Sequence, residues 1–235
     1  MRTVSPDPPQ LGTVDGLAYA LFLPDSPAPG GVVILHGADS CKESHFDFAR
    51  LVRGSGLAAV CFDARGHGES EGPFGSSAVD DVVAVAGVLP PGPVGLRGSS
   101  MGGWLALAAA SPLRAAAVVA ICPAPTEHLV RAMREPSRFG FARDADGFAA
   151  CAARYGDLEA VAGGLAQRLM LLHAEGDDVV PVEASRALAA AAPGARFVEV
   201  PGGHHRSVQH DPELQALSVR FLQNELHRAA LADAG

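Results

Sequence analysis

At 235 residues, with 48% hydrophobic content, the chain is long enough to bury one substantial core, and its formal net charge of −8 argues against a nucleic-acid surface. Lys42 is the only lysine and no basic cluster stands out, so neither nucleic acid nor an anionic membrane is an expected partner. No segment approaches the roughly 18 uninterrupted apolar residues of a membrane span. Residues 1–9 carry no apolar signal core, so a soluble cytoplasmic protein is expected. Cys41, Cys61, Cys122 and Cys151 form no C-x-x-C pair and suit neither a zinc site nor a disulfide framework; they are expected to be reduced.

Residues 1–10 are proline-rich and read as loose coil. Residues 17–23 read as a strand stopped by Pro24. Val32-Val33-Ile34-Leu35 is continuous and mostly β-branched, the pattern of a strand buried on both faces, and it runs straight into His36-Gly37-Ala38-Asp39. Residues 45–54 carry an apolar stripe of helical spacing with glycine at the stop. Residues 57–62 form the next buried strand and end in the glycine-rich loop from Asp63 to Ser70; residues 79–89 are helical. Val94-Gly95-Leu96 ends a strand, and Trp104 to Ala110 is a run of good helix formers. Between them stands Gly98-x-Ser100-x-Gly102, the pattern of a nucleophile elbow in the strand–turn–helix context it needs.

Residues 115–122 are a further buried strand. The segment 126–167 is charged, carries Phe139, Phe141 and Phe148, and lacks a strand, so it reads as a small cap inserted into a single domain spanning 1–235. Residues 169–173 resume the sheet, 183–192 form a helix, 197–200 the last strand, and 212–231 an amphipathic helix opened by Pro212. Strands alternating with helices at this rhythm predict an α/β fold: a doubly wound, mostly parallel sheet with helices on both faces.

In such a sheet the loops at the strands' carboxyl ends share one rim, where ligands bind. Those loops hold His36-Gly37-Ala38, then Asp63 to Ser70, Ser100, Asp177-Asp178 and His204-His205. A serine, an acid and a histidine therefore gather in the order expected of this architecture. The chemistry explains the set. A serine hydroxyl is a weak nucleophile until a histidine accepts its proton, and a carboxylate holds that imidazole in the right tautomer. Two backbone N–H groups must meet the developing oxyanion; Met101, just after the serine, and Ala38 are the candidates.

These residues resemble the α/β-hydrolase superfamily, over essentially residues 11–231. Beyond the elbow the resemblance is carried by Leu35-His36-Gly37, by Asp63-x-Arg65-Gly66-His67-Gly68-x-Ser70, and by His173-x-x-x-Asp177-x-x-Val180-Pro181. It implies the α/β-hydrolase fold, Ser100 as nucleophile and Asp177 as triad acid. Members commonly carry Pro-Gly-x-x-His after the last strand, which makes His205 the base; His204 remains the alternative. The likeness extends to compact serine esterases and dienelactone-hydrolase-like proteins, although dienelactone hydrolases proper use a cysteine where this chain has Ser100.

The expected activity is cofactor-independent cleavage of small carboxylic esters or thioesters through an acyl-enzyme. A thioesterase or cyclase acting on carrier-bound acyl chains and a non-catalytic binding protein of the same fold are the alternatives. No nucleotide motif is present. The His204-His205 pair lacks a third ligand at useful spacing, so no metal is expected. His36 and His67 read as loop-shaping hydrogen bonders, Asp63 and Arg65 as braces.

Overall fold

The structure is a computed structural model and describes residues 8–233. The first part of the expected N-terminal coil, residues 1–7, lies outside the described residues. Gln10, by contrast, already begins a strand, β1 (Gln10–Val14), paired antiparallel with β2 (Leu17–Phe22). The two-residue turn between them is Asp15-Gly16, both at positive φ (51° and 77°), as a tight hairpin demands.

The chain then alternates between sheet and helices through β3 (Gly31–Leu35), α1 (Phe46–Gly54), β4 (Ala58–Phe62), α2 (Ala78–Ala86), β5 (Val94–Ser99), α3 (Met101–Ala108) and β6 (Ala117–Ile121). The crossover to β7 (Leu169–Ala174) is long and holds α4 (Thr126–Arg134), α5 (Ala145–Tyr155) and α6 (Leu158–Leu165). After β7 come α7 (Val182–Ala191), β8 (Arg196–Val200), the single turn α8 (Ser207–His210) and α9 (Pro212–Asp233). The eight strands lie in the order β1-β2-β4-β3-β5-β6-β7-β8, antiparallel through β2–β4 and parallel from there on.

Alternation along the buried strands divides the core into two layers. Val33, Leu35, Val60, Leu96, Val118 and Leu171 face α2 and α3. Val32, Ile34, Ala59, Val119, Met170 and Leu172 face α1 and α9, which bury Phe48, Val52, Leu222 and Leu226 against them. Leu158, Ala162 and Leu165 of α6 join the first layer, where α6 packs against α3 and α7. The register aligns Leu35 with Gly98, Ser99 with Ile121, and Ile121 with Leu172. The carboxyl ends of β3, β5, β6 and β7 therefore finish at one height, and the loops that follow them meet. Among the described residues no helix is long and apolar enough to cross a membrane.

Arg97 of β5 is a buried cation that no carboxylate among the described residues meets. Its guanidinium lies 3.8 Å over the Phe48 ring and Nη2 donates to Gln209 O at 2.8 Å, while Nε has no partner among the described residues. Burial pushes it down to about 9, well below the ordinary arginine value. Replacing an uncompensated buried ion by an apolar side chain of similar volume is neutral or stabilising. Gln209 O keeps a second donor, Gln215 Nε2 at 3.1 Å. Arg97→Met is therefore expected to melt at or above the wild-type temperature at pH 7. The cost of the buried charge is full below pH 9, where both folded and unfolded arginine are protonated, and is relieved as the folded group deprotonates above it. The variant's advantage should accordingly shrink as pH rises past 9. Thermal melts at pH 7 and pH 10 check this; a variant that melts lower at pH 7 would show that the guanidinium stabilises the fold.

Candidate active site

Ser100 sits between β5 and α3 with φ 56° and ψ −115°, a left-handed conformation costly for a side chain with a Cβ. Its backbone is over-determined: Ser100 N donates to Ile121 O (2.9 Å), and Ser100 O accepts from Trp104 N (3.0 Å) and Ala124 N (3.2 Å). The turn closes only because its flanks are bare. A Cβ on Gly98 would collide with the Gly102 carbonyl, and one on Gly102 with the Leu35 and His36 carbonyls. The serine thus stands at the N-terminus of α3, whose first N–H, that of Met101, has no intrahelical acceptor.

The loop after β3 comes up against this turn. A Cβ built on Gly37 would lie 3.6 Å from Ser100 Cβ. His36 is buried, with Nδ1 2.7 Å from Gly37 O and Nε2 accepting from Ala64 N at 3.0 Å. Its proton therefore belongs on Nδ1. Burial, with His67 beside it, pushes it down to about 4, so it stays neutral. Ala38, half-buried, follows Gly37 on the same loop.

Asp177 leaves the β7 end with its side chain fully buried. Oδ1 accepts from Val179 N (2.9 Å) and Val180 N (2.8 Å), and Oδ2 lies 2.7 Å from His205 Nδ1. Burial drives this carboxyl up, but the Val180 N–H, the His205 ring and the Val179 N–H outweigh it, leaving it below the usual carboxylate value. It is His205, not His204, that meets Asp177. His204 is exposed, and its Nδ1 takes only the Arg206 N–H at 3.3 Å. Among the described residues no hydrogen bond joins Ser100 Oγ to His205. Catalytic contacts are often long before substrate binds.

Two side chains beside Asp177 escaped the sequence reading as parts of the site. His173 is fully buried, with Nε2 2.9 Å from Val180 O and 3.3 Å from Asp177 Oδ2, and Nδ1 2.7 Å from Ser185 Oγ. It braces the turn that carries the acid; the spacing His173-x-x-x-Asp177 was the available signal. Cys122, at φ 42° after β6, brings its sulfur within 4.8 Å of ligand atoms of Asp177 and His205. This is a three-residue cluster of metal-ligating types that sequence spacing did not disclose. Burial pushes the Cys122 thiol up, so it holds its proton.

The expected braces are where they were predicted. Arg65 Nε is 3.0 Å from Asp81, and its other nitrogens donate to Asp15 O and Glu71 O. Asp63 accepts from Lys42 N and Lys42 Nζ, each at 2.8 Å, and from Glu69 N at 3.0 Å. The only lysine is thus spent on a buried ion pair that fixes the base of the β4 loop. His67, on that loop, reaches the loop after β3: Asp39 N donates to its Nε2 at 3.3 Å.

Comparison with known proteins agrees with this fold. A family model described as "Alpha/beta hydrolase family" matches residues 32–166, more than half of the chain. The 2,6-dihydropseudooxynicotine hydrolase of Paenarthrobacter nicotinovorans is 33% identical over 118 residues, which cover 45% of this chain and only 32% of that protein. Among solved structures, the monoacylglycerol lipase of Paleococcus ferrophilus superposes with TM-score 0.70 at 21% identity, covering 89% of this chain and 99% of that one. Est1E of Butyrivibrio proteoclasticus gives TM-score 0.71 at 18% identity over 96% and 100% of the two chains. The enol-lactonase of Burkholderia xenovorans LB400 gives 0.69 at 22% over 91% and 99%. Likeness at these identities speaks to the fold.

Proposed function

The chain belongs to the alpha/beta hydrolase family, and from that premise we propose that it is a serine hydrolase cleaving carboxylic esters or thioesters of small to medium acyl groups. The observation that carries the reading is the 2.7 Å contact between His205 Nδ1 and the buried Asp177 Oδ2. It leaves Nε2 of the same ring as the free base on the rim that holds Ser100.

The steps follow from these groups. Ser100 Oγ attacks the carbonyl carbon as its proton passes to His205 Nε2, and Asp177 stabilises the imidazolium that forms. The carbonyl oxygen becomes an oxyanion and is met by the N–H groups of Met101 and Ala38. Collapse breaks the bond to the alcohol or thiol, which leaves with the proton from His205, and Ser100 stays acylated. A water then delivers its proton to His205 as it attacks the acyl carbon; the bond to Ser100 Oγ breaks, His205 returns the proton to Oγ, and the acid departs. The scheme uses no metal or cofactor. Four unpaired cysteines suit a reducing, cytoplasmic setting.

We assign the 126–167 segment a role in substrate choice. Gly140, between the stacked rings of Phe139 and Phe141 (5.2 Å apart), donates its N–H to Asp39 Oδ1, next to Ala38, at 2.7 Å. Phe139→Ala should shift the preferred acyl chain of p-nitrophenyl esters toward greater length. An unchanged profile from acetate to octanoate would remove the segment from the acyl pocket. The reaction class itself is tested by turnover of p-nitrophenyl acetate and of acetyl thioesters. Hydrolysis of neither would contradict it.

A further inference from the structure

We propose that His67 is a positioning residue for the oxyanion loop, clasped in place by the 139–141 segment; this rests on the reading of Ala38 as an oxyanion donor. Ala38 lies between two peptide planes. The Gly37–Ala38 plane carries the Ala38 N–H and is held through Gly37 O by His36. The Ala38–Asp39 plane ends in the Asp39 N–H, which donates to His67 Nε2 at 3.3 Å. Peptide units are rigid, so holding both planes fixes φ and ψ of Ala38 and the direction of its N–H.

His67 can do this in one protonation state. Its Nδ1 is 3.1 Å from Arg65 O, a carbonyl that can only accept, so the ring proton sits on Nδ1 and Nε2 presents a lone pair. A second proton would set an N–H against the Asp39 N–H. Burial holds the ring below its ordinary value, against the pull of the Arg65 carbonyl and the nearby carboxylates. The groups that face it are His36 from the end of β3, Asp39 from the oxyanion loop and Asp63 from the end of β4. Phe141 covers its face with ring centres 3.9 Å apart, and Phe74 stands edge-on at 6.4 Å.

Asp39 is the point where the three elements meet. Its φ of 54° is a left-handed strain that persists only when the surroundings impose it. Its N–H goes to His67, and its Oδ1 takes the Gly140 N–H at 2.7 Å. The residue next to the proposed oxyanion donor is thus held from the β4 loop on one side and from the 126–167 segment on the other. A substrate that displaces Phe139–Phe141 acts on the oxyanion hole through Phe141, His67 and Asp39.

Two substitutions separate this from a packing role. His67→Phe keeps a ring against Phe141 and removes the acceptor; His67→Gln restores an acceptor oxygen without the ring. With p-nitrophenyl acetate, His67→Phe should lower kcat by about 10-fold or more with KM within twofold, the mark of an interaction made in the transition state. His67→Gln should recover at least half of the lost kcat on a logarithmic scale. The inference is overturned if His67→Phe leaves kcat unchanged, if it raises KM alone, or if His67→Gln is as impaired as His67→Phe while both melt like wild type. Should His67→Phe not fold, His67→Gln together with Phe141→Ala decides. His67→Gln within threefold of wild type with Phe141→Ala lowering kcat sustains the clasp, and Phe141→Ala at wild-type kcat overturns it. If Ser100→Ala retains turnover, the reading of the site fails first; if Ser100→Ala is dead and His67→Phe is not impaired, only this inference fails.

Discussion

Ser100→Ala is expected to lower kcat for p-nitrophenyl acetate by about 10⁴-fold or more while leaving the fold intact. The size follows from what is removed. Without Oγ no acyl-enzyme forms, and only binding and the oxyanion N–H groups remain to assist direct attack by water. The fold should tolerate the change. The backbone at position 100 is held by Ile121 O, Trp104 N and Ala124 N, none of which involves the hydroxyl, and alanine bears the same left-handed strain as serine. Steady-state kinetics with a thermal melt on the same sample check both halves. A variant that folds and keeps more than a few per cent of wild-type kcat would mean that another group carries the reaction.

The second large effect is at the acid. Asp177→Asn should lower kcat by about 10⁴-fold, because an amide that donates to His205 Nδ1 fixes the wrong tautomer and turns Nε2 from acceptor to donor. The carboxylate also stabilises the imidazolium, and its two Oδ1 contacts to Val179 N and Val180 N keep it ionised and aimed. His205→Ala should fall to a similar level, since members of a triad act as one unit. His204→Ala should remain within about twofold of wild type, because that ring is exposed and its Nδ1 accepts from Arg206 N on its own loop. Measured kcat values for the three variants rank the roles. Equal losses at His204 and His205 would undo the assignment of the base.

What sequence alone conveyed about this site followed from strand logic. Each of Ser100, Asp177 and His205 follows the carboxyl end of a strand, and a parallel register brings strand ends together. Local rules therefore point to residues as far as 105 positions apart, from 100 to 205. The family profile and the eight-stranded sheet agree with the fold read that way. The choice between His204 and His205 was not local. One residue of offset in a glycine turn decides which ring points at Asp177, and both spacings are compatible with the sequence.

The parts that sequence did not convey are polar and partnered at a distance. β1 reads as Gln-Leu-Gly-Thr-Val, an exposed edge with little alternation, although the Asp15-Gly16 turn after it was a usable sign. Lys42 looks like a solvated charge until Asp63 is folded against it. His67, Asp39 and Gly140 come together only when the β4 loop, the β3 loop and the 126–167 segment are assembled. Arg97 departs from an otherwise apolar strand pattern, and its tolerance rests on Phe48 and the Gln209 carbonyl, neither of which is near it in sequence. Hydrophobic periodicity predicts layers; it does not predict which buried polar groups find each other.

The most direct test of the central claim is covalent. Intact-mass and peptide-level mass spectrometry after reaction with a fluorophosphonate should find one adduct per chain, on Ser100. Prior reaction with p-nitrophenyl acetate should slow its appearance, and Ser100→Ala should show none. Labelling confined to another residue, or a folded wild-type protein that hydrolyses esters without forming any adduct, would contradict an acyl-enzyme built on this serine.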